Sequence, residues 1–572
     1  MTCIPPHMRD RVLPHLDGST EQERSAIVPS CSEASVTTVR NQAPVFSEKT
    51  HFLEPQMSEK GGLPLYAEPP KRWWSGLRYQ KLLLHFATCY TVFLLYRQSR
   101  YSSDYIAPLS HTFQSECSAL LTPTSATYVD RLSKLVDALN LFEAPAGRIP
   151  AAGWIAEPGP SAEYFLGGFS SRDWWLSERP FLISMTPSNT DRTKPNVTLL
   201  TPEFERLRAE GVNLPEQVRP YITWLSWQED ESPYEKLIGH IKSEVTATGL
   251  DGKARSFIYG GLREESRKAG QLAHAEAMEV SSMAERGAEG SPMAPVAQAL
   301  QLIRERKDER EVGLLRCANQ MTLHAIRHTR RRMHIGITES ATRKILEEEM
   351  AKTGLVEGDG LVLFGENAAL PHGSGTDRVL GVHDLVLIDA GGKWGGYVSD
   401  ITRTFALPKS KIPRSHLDIW ETVRRAQYAP YRLLLSSNST LPPRLAELDI
   451  AARKVISDHM FSLNGERPSS NSPDFSVFTH RLGHGIGLEG HEDPYLVQGP
   501  LGETKAQPGH VFSLEPGVYI PAAKEGKALK GNSGDLSGVG VRLEDCFVVT
   551  VDEEGRLGGE WLTGPVHAWG EV

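Results

Sequence analysis

The chain has 572 residues, 40% of them hydrophobic and 23% charged, with a formal net charge of −9. That length accommodates two or three domains with sizeable cores, and a mild acidic excess spread over it excludes nucleic acid as the main partner. The cysteines at 3, 31, 89, 117, 317 and 546 include no CxxC pair and no zinc-finger spacing, so no disulfide framework is legible.

Residues 1–70 are rich in Pro, Ser, Glu and Gly without apolar periodicity and are expected to be a disordered tail. Residues 71–100 are different. There KRWWSGLRYQK leads into an uncharged run at 82–96, LLLHFATCYTVFLLY, closed by Arg97 and Arg100. A spanning helix needs about 20 residues, so this run is expected to be a single-pass membrane anchor only with help from Trp73, Trp74, Tyr79 and the snorkelling Lys81 and Arg97. A short interfacial or buried helix, with the remainder of the chain in the cytoplasm, is the alternative. As an anchor, the basic residues Lys71, Arg72, Arg78 and Lys81 outnumber Arg97 and Arg100, which places the tail in the cytoplasm and the remainder in the lumen or outside. The sequons Asn196-Val197-Thr198 and Asn438-Ser439-Thr440 would then be usable glycosylation sites.

A first folded domain is expected at about 120–265, followed by a linker or insertion at 266–300 that contains KAGQLAHAEAMEVSSMAERGAEGSPMAPV. A second domain then occupies 301–570. In it, Thr338 is placed to cap a helix within GITESATRKILEEEMAKTGL. Residues 385–407, LVLIDAGGKWGGYVSDITRTFAL, read as a hairpin with Asp389 on one arm and Asp400, eleven residues later, on the other. The segments 510–520, HVFSLEPGVYI, and 538–550, GVGVRLEDCFVVT, read as a strand pair in which the acids Glu515 and Glu544 are embedded. Between them lies a Gly-, Lys- and Ser-rich stretch expected to be a surface loop.

Any one of these acids alone would read as a strand-end or surface charge. Together they are a problem, because unpaired carboxylates in apolar runs cost several kcal/mol each, as a rough figure, to bury, and four that converge repel one another. Two divalent cations would remove the contradiction. The remaining donor is supplied by HRLGHGIGLEGHEDP at 480–494, where His484 stands between two glycines that let the backbone approach closely, with His480 and His491 on either side.

The order Asp, Asp, His, Glu, Glu, with the eleven-residue spacing, the HxxxH step and the LEPG and RLED contexts, resembles the metal-dependent peptidases of the creatinase, aminopeptidase P and prolidase superfamily. The resemblance extends to FGENAALPHG at 364–373, to RKDEREVGLLRCANQMTLHAI at 306–326, which looks like the helix that opens the family's catalytic domain, and more loosely to 160–185, 199–212 and 227–237. It implies an α/β (α+β) architecture: a C-terminal pita-bread catalytic domain preceded by a smaller creatinase-like α/β domain. It also implies Asp389, Asp400, His484, Glu515 and Glu544 as metal ligands, with Asp400 and Glu544 bridging. His372 and His491 match substrate-contacting positions, and His480 a position lining the pocket for the residue after the scissile bond. Glu515 would also shuttle a proton, and Arg542, two residues before Glu544, either binds a substrate carboxylate or holds that acid in place.

Four carboxylates and one imidazole are a hard donor set that suits Mn²⁺ and accepts Zn²⁺ or Co²⁺, and a hydroxide held between two such ions can attack a carbonyl. The expected activity is therefore that of an Xaa-Pro aminopeptidase or prolidase acting on short proline-containing peptides, with homodimers as the family's common assembly. A creatinase-like C–N hydrolase and a non-catalytic binding protein on the same fold are the alternatives. Neither requires the full ligand set.

Overall fold

The computed structural model describes residues 109–141, 151–247, 255–259, 266–271, 294–464, 477–522, 530–531 and 534–572. The tail expected at 1–70, the hydrophobic run at 82–96 and most of the 268–296 linker and the 523–538 loop lie outside them. Among the described residues, no helix is long and apolar enough to cross a membrane.

The first half is built on five strands: β1 (Ala151–Ala156), β2 (Leu182–Pro187), β3 (Pro195–Pro202), β4 (Ile222–Trp227) and β5 (Arg255–Tyr259), in the order β4-β3-β2-β1-β5. β2 runs antiparallel to both its neighbours, whereas the β3/β4 and β1/β5 pairs are parallel. Every residue of β2 is buried, as expected of a central strand covered on both faces. One cover includes Leu132, Leu135 and Leu139 of the helix Ser125–Leu139. The other includes Leu237, Ile238 and Ile241 of the helix Pro233–Ala247.

The second half opens on the helix Glu309–Arg332, longer than the 306–326 segment that announced it. Its start is fixed by a capping box: the Glu311 amide donates to Asp308 at 2.8 Å and the Asp308 amide to the Glu311 carboxylate at 3.0 Å. Arg330, Arg331 and Arg332 stand at the negative end of its dipole. Thr338 caps the next helix, Glu339–Thr353, as expected, accepting from the Ala341 amide at 3.1 Å. Strands β6 (Val356–Phe364), β7 (Val386–Trp394), β8 (Tyr397–Val398) and β9 (Ile401–Phe405) follow, with β7 bonded to the other three. The helices Arg414–Leu435 and Leu445–Asn464 come next in the chain.

The chain then forms β10 (Gly483–Gly485), β11 (Glu492–Leu496), β12 (Val511–Leu514) and β13 (Gly517–Ile520), the small pair β14 (Lys530–Gly531) and β15 (Gly534–Asp535), and finally β16 (Val539–Arg542), β17 (Asp545–Val551) and β18 (Leu557–Trp561). A second five-stranded sheet runs β11-β10-β12-β17-β18, and β13 pairs with β16 apart from it. The two segments expected as single strands are therefore each broken in two. The breaks fall at Glu515-Pro516 and Leu543-Glu544, between the registers Leu514 with Asp545 and Gly517 with Arg542. Pro516 has no amide to give to a ladder, and the break releases both acids from the regular strand alternation.

Two long-range links were not legible in the sequence. Cys117 and Cys317 form a disulfide across 200 residues, and Cys546 remains free and buried. The expectation of no disulfide framework is corrected to that extent, since a pairing this distant leaves no spacing signature. In the chain-entropy model, closing a loop of that size stabilises by about 5 kcal/mol. The other link is an ion pair, Arg403 Nη2 to Asp545 Oδ1 at 2.6 Å, with both side chains almost fully buried. Gln427 Nε2 donates to the second carboxylate oxygen at 3.1 Å, Thr563 donates to the first, and Arg403 Nη1 reaches the Glu544 carbonyl at 2.7 Å. Removing one member strands a buried charge. Asp545→Ala is accordingly expected to lower unfolding free energy by about 3–5 kcal/mol, read by urea denaturation of the metal-free protein; a loss under about 1 kcal/mol would contradict the pairing.

Candidate metal centre and active site

The site forms where the two sheet systems meet. Asp389 lies on β7 opposite Thr402 of β9, and Asp400 sits in the short step between β8 and β9 rather than on the second arm itself. Glu515 and Glu544 occupy the two strand breaks. His484 is the middle residue of β10, which is squeezed between β11 and β12: a Cβ on Gly483 would lie 1.9 Å from the Ser513 carbonyl oxygen, and one on Gly485 2.3 Å from that of Asp493. Only glycine allows that approach, and it delivers the imidazole to the acids.

All five expected ligands come together. Ligand atoms of Asp389, Asp400 and Glu544 lie within 4.8 Å of one another, and so do those of His484, Glu515 and Glu544. Glu544 belongs to both groups. His484 Nε2 is 3.2 Å from Glu515 Oε1 and 3.8 Å from Asp400 Oδ2. A third group joins Asp400 and His484 to His491, so His491, expected outside the metal shell, also stands within ligand reach.

Positive charge and hydroxyls partly balance the acids. Arg542 is buried and donates through Nη2 to Asp389 at 2.6 Å, through Nε to Thr402 Oγ1 at 3.0 Å and through Nη1 to the Tyr519 hydroxyl at 3.0 Å. The acid that Arg542 holds directly is Asp389, whereas Glu544, the acid two residues on that it was expected to hold, is reached only through Thr402. Thr402 Oγ1 passes its own proton to Glu544 Oε2 at 2.7 Å, and Ser513 donates to Glu515 Oε1 at 3.2 Å. Glu544 Oε1 is buried and has no hydrogen-bond partner among the described residues.

That balance is incomplete. Burial, reinforced by Glu515 and Asp389, pushes Glu544 up to about 8. Burial likewise pushes Glu515 up to about 7, with Asp389 adding to the rise and Arg542 opposing it. Asp400 is driven well above the usual carboxylate range by burial and then by Glu544, Asp389 and Glu515. Acids that resist ionisation, around a buried oxygen without a donor, are what a divalent-cation site presents when only protons are offered to it.

The outer histidines divide by exposure. His480 is half-buried and held near 4 chiefly by burial, hence neutral; its Nδ1–H donates to the Arg481 carbonyl at 2.7 Å and its Nε2 accepts from Tyr519 at 2.8 Å. What it leaves for a ligand is the face of its ring. His372 and His491 are exposed at the rim and close enough to interact electrostatically. The turn before His372 is pinned by buried Glu339, which accepts from the Phe364 amide at 2.7 Å and from Asn367 Nδ2 at 2.9 Å. Beside His491, Glu492 accepts from Lys307 at 2.6 Å and Arg304 at 2.8 Å.

Thr402, Ser513 and Tyr519 escaped the sequence reading. Their spacing from the acids carries no signal, because Asp400 and Glu515 lie outside the strands and the two-residue alternation does not run through them.

Between pH about 4.5, where an unfolded glutamate has lost its proton, and about 8, the folded acids still hold protons that the unfolded chain has released. That contribution to the stability of the metal-free protein falls as pH rises, and above about pH 6.5, where the histidines held neutral by burial, His480 among them, no longer oppose it, stability must fall toward pH 8. In chelator, the melting temperature is expected to drop from about pH 6.5 to pH 8, and Mn²⁺ should raise it more at pH 8 than at pH 5. An equal increment at both would count against the cation site.

The comparisons agree with this geometry. The model of metallopeptidase family M24 matches residues 313–551. An uncharacterized peptidase of Schizosaccharomyces pombe is 34% identical over 406 residues, covering 69% of this chain and 75% of its own. A Xaa-Pro dipeptidase of Lactobacillus delbrueckii subsp. lactis is 34% identical over 256 residues, 44% of this chain and 59% of that enzyme. Among solved structures, an Escherichia coli aminopeptidase P shares the fold at a TM-score of 0.56 and 19% identity, over 78% of this chain and 96% of its own. With the pita-bread architecture and the peptidase relatives both in place, the chain belongs to metallopeptidase family M24, within the creatinase, aminopeptidase P and prolidase superfamily.

Proposed function

We propose that the chain is a dinuclear exopeptidase that cleaves short peptides at Xaa-Pro bonds. The observation that carries this reading is the convergence of Asp389, Asp400, His484, Glu515 and Glu544 around the unpartnered buried oxygen of Glu544. Asp389, Asp400 and Glu544 would hold one ion. His484 and Glu515, with Asp400 and Glu544 shared, would hold the other. The oxygen-rich donor set favours Mn²⁺, and two such ions would supply an acidified water and a polarised substrate carbonyl.

The chain's own groups do the rest. Glu515 Oε2, the oxygen not engaged by Ser513, is placed to carry a proton to the departing amine. His372 and His491, at the rim, can donate to the substrate oxygen that gains charge in the transition state. Arg542 and Thr402 act as positioning residues, fixing Asp389 and Glu544. An imide bond before proline offers no N–H to a protein acceptor. The face of His480, whose nitrogens are already engaged, can pack on the proline ring without requiring one.

Asp400→Asn is expected to lower turnover at least about 10³-fold, the scale of losing a main electrostatic element, and to reduce bound metal by at least one ion per chain. Retention of both ions with full activity would remove Asp400 from the ligand set. His372→Ala should cost about 10²-fold in kcat with metal content unchanged; loss of metal instead would make His372 a ligand. For specificity, kcat/KM for an Xaa-Pro peptide should exceed that for its Xaa-Ala counterpart by more than about tenfold, roughly 1.4 kcal/mol. A ratio near one describes a broad exopeptidase.

A further inference from the structure

The two sequons of the chain occupy opposite environments, and only one has the geometry of an acceptor. Asn438-Ser439-Thr440 lies between the helices Arg414–Leu435 and Leu445–Asn464, and all three residues are exposed. The Asn438 side-chain oxygen accepts from the Thr440 amide at 3.2 Å, the Thr440 hydroxyl at 2.7 Å and the Leu441 amide at 2.8 Å. The turn is anchored to the body by the Ser439 amide, which donates to the Gly555 carbonyl at 2.9 Å. With Oδ1 fixed by three donors, the orientation of the amide is set. Its Nδ2 is the edge left without a partner among the described residues. Leu441 beside it is 76% exposed, an apolar side chain that a covering group would shield.

Asn196 offers the contrary case. It stands on β3, its Nδ2 donates to Glu244 at 3.0 Å, and its Thr198 is buried between Ser184 of β2 and Thr223 of β4. A glycan there would have to break that hydrogen bond at the sheet.

A separate observation bears on the compartment. The Cys117–Cys317 disulfide joins the segment in front of the first domain to the helix that opens the second, and such structural disulfides persist where the medium is oxidising, not in a reducing cytosol. We propose that the folded part of this chain matures in an oxidising, glycosylating compartment and carries an N-linked glycan on Asn438 and none on Asn196. The co-reactant is a lipid-diphosphate-linked oligosaccharide. Nδ2 forms a bond to the anomeric carbon, the bond from that carbon to the phosphate oxygen breaks, the lipid diphosphate leaves with the electron pair, and one amide proton passes to solvent. Nothing is oxidised or reduced.

The test is the full-length chain expressed in a yeast and treated with peptide N-glycosidase. One mobility step is expected, together with deamidation at position 438 in the peptide map and Cys117 and Cys317 peptides joined under non-reducing conditions. Asn438→Gln and Thr440→Ala should abolish the step. Thr440→Ser, which keeps the hydroxyl, should retain it, as should Asn196→Gln. A chain that shows no step, or a step that disappears with Asn196→Gln and survives Asn438→Gln, would overturn the proposal.

Discussion

Mutual repulsion among four carboxylates is the constraint around which the second half of the molecule is arranged. Asp389, Asp400, Glu515 and Glu544 share one largely buried space, and among the described residues one guanidinium, Arg542, is hydrogen-bonded to a carboxylate of the group. Burial makes each charge harder to hold, and each neighbour makes it harder still. A fold that accepted this arrangement for stability alone would have replaced the acids with apolar residues. Their retention together, with one oxygen left unpartnered, only makes sense if the balance is closed by something the polypeptide does not contain.

The backbone accommodates this tension by interrupting its own regularity. β12 and β13 are one strand broken at Glu515, and β16 and β17 are one strand broken at Glu544, so both acids sit at joints where the ladder changes partner. Behind the joint, Asp545 faces the other way and is satisfied by Arg403, Gln427 and Thr563. Adjacent residues thus carry opposite assignments. Glu544 is left short of donors toward the cleft, and Asp545 is saturated toward the core.

The acids, the glycine-flanked His484 and the outer histidines were legible because their chemistry is expensive in an apolar context and their order is distinctive. The strand breaks were less so, since apolar alternation continues through Leu514 and Leu543 and only Pro516 marks one of them. Tyr519 and Thr402 are ordinary strand residues by composition, and their roles emerge only when Arg542 is seen between them. Arg403 looked like any strand arginine until the fold closed over it. The disulfide lay beyond local reading altogether, because what makes two distant cysteines neighbours is the tertiary fold and no spacing encodes it.

Glu492 has a consequence for how the molecule can be divided. Its carboxylate is compensated by Arg304 and Lys307, both of which precede residue 313, where the family model begins to match. The boundary drawn by sheets and the boundary drawn by charge therefore fall in different places. The connecting helix Ala294–Glu305 supplies Arg304 to Glu492 and so is tied by an ion pair to the residue that follows His491. The two halves each have a sheet of their own, yet one hydrophobic core runs from Leu135 and Ile183 to Ile486, Val511 and Val548, so they are not interchangeable modules, and a second half transplanted without residues 304–307 would carry its own uncompensated anion beside His491.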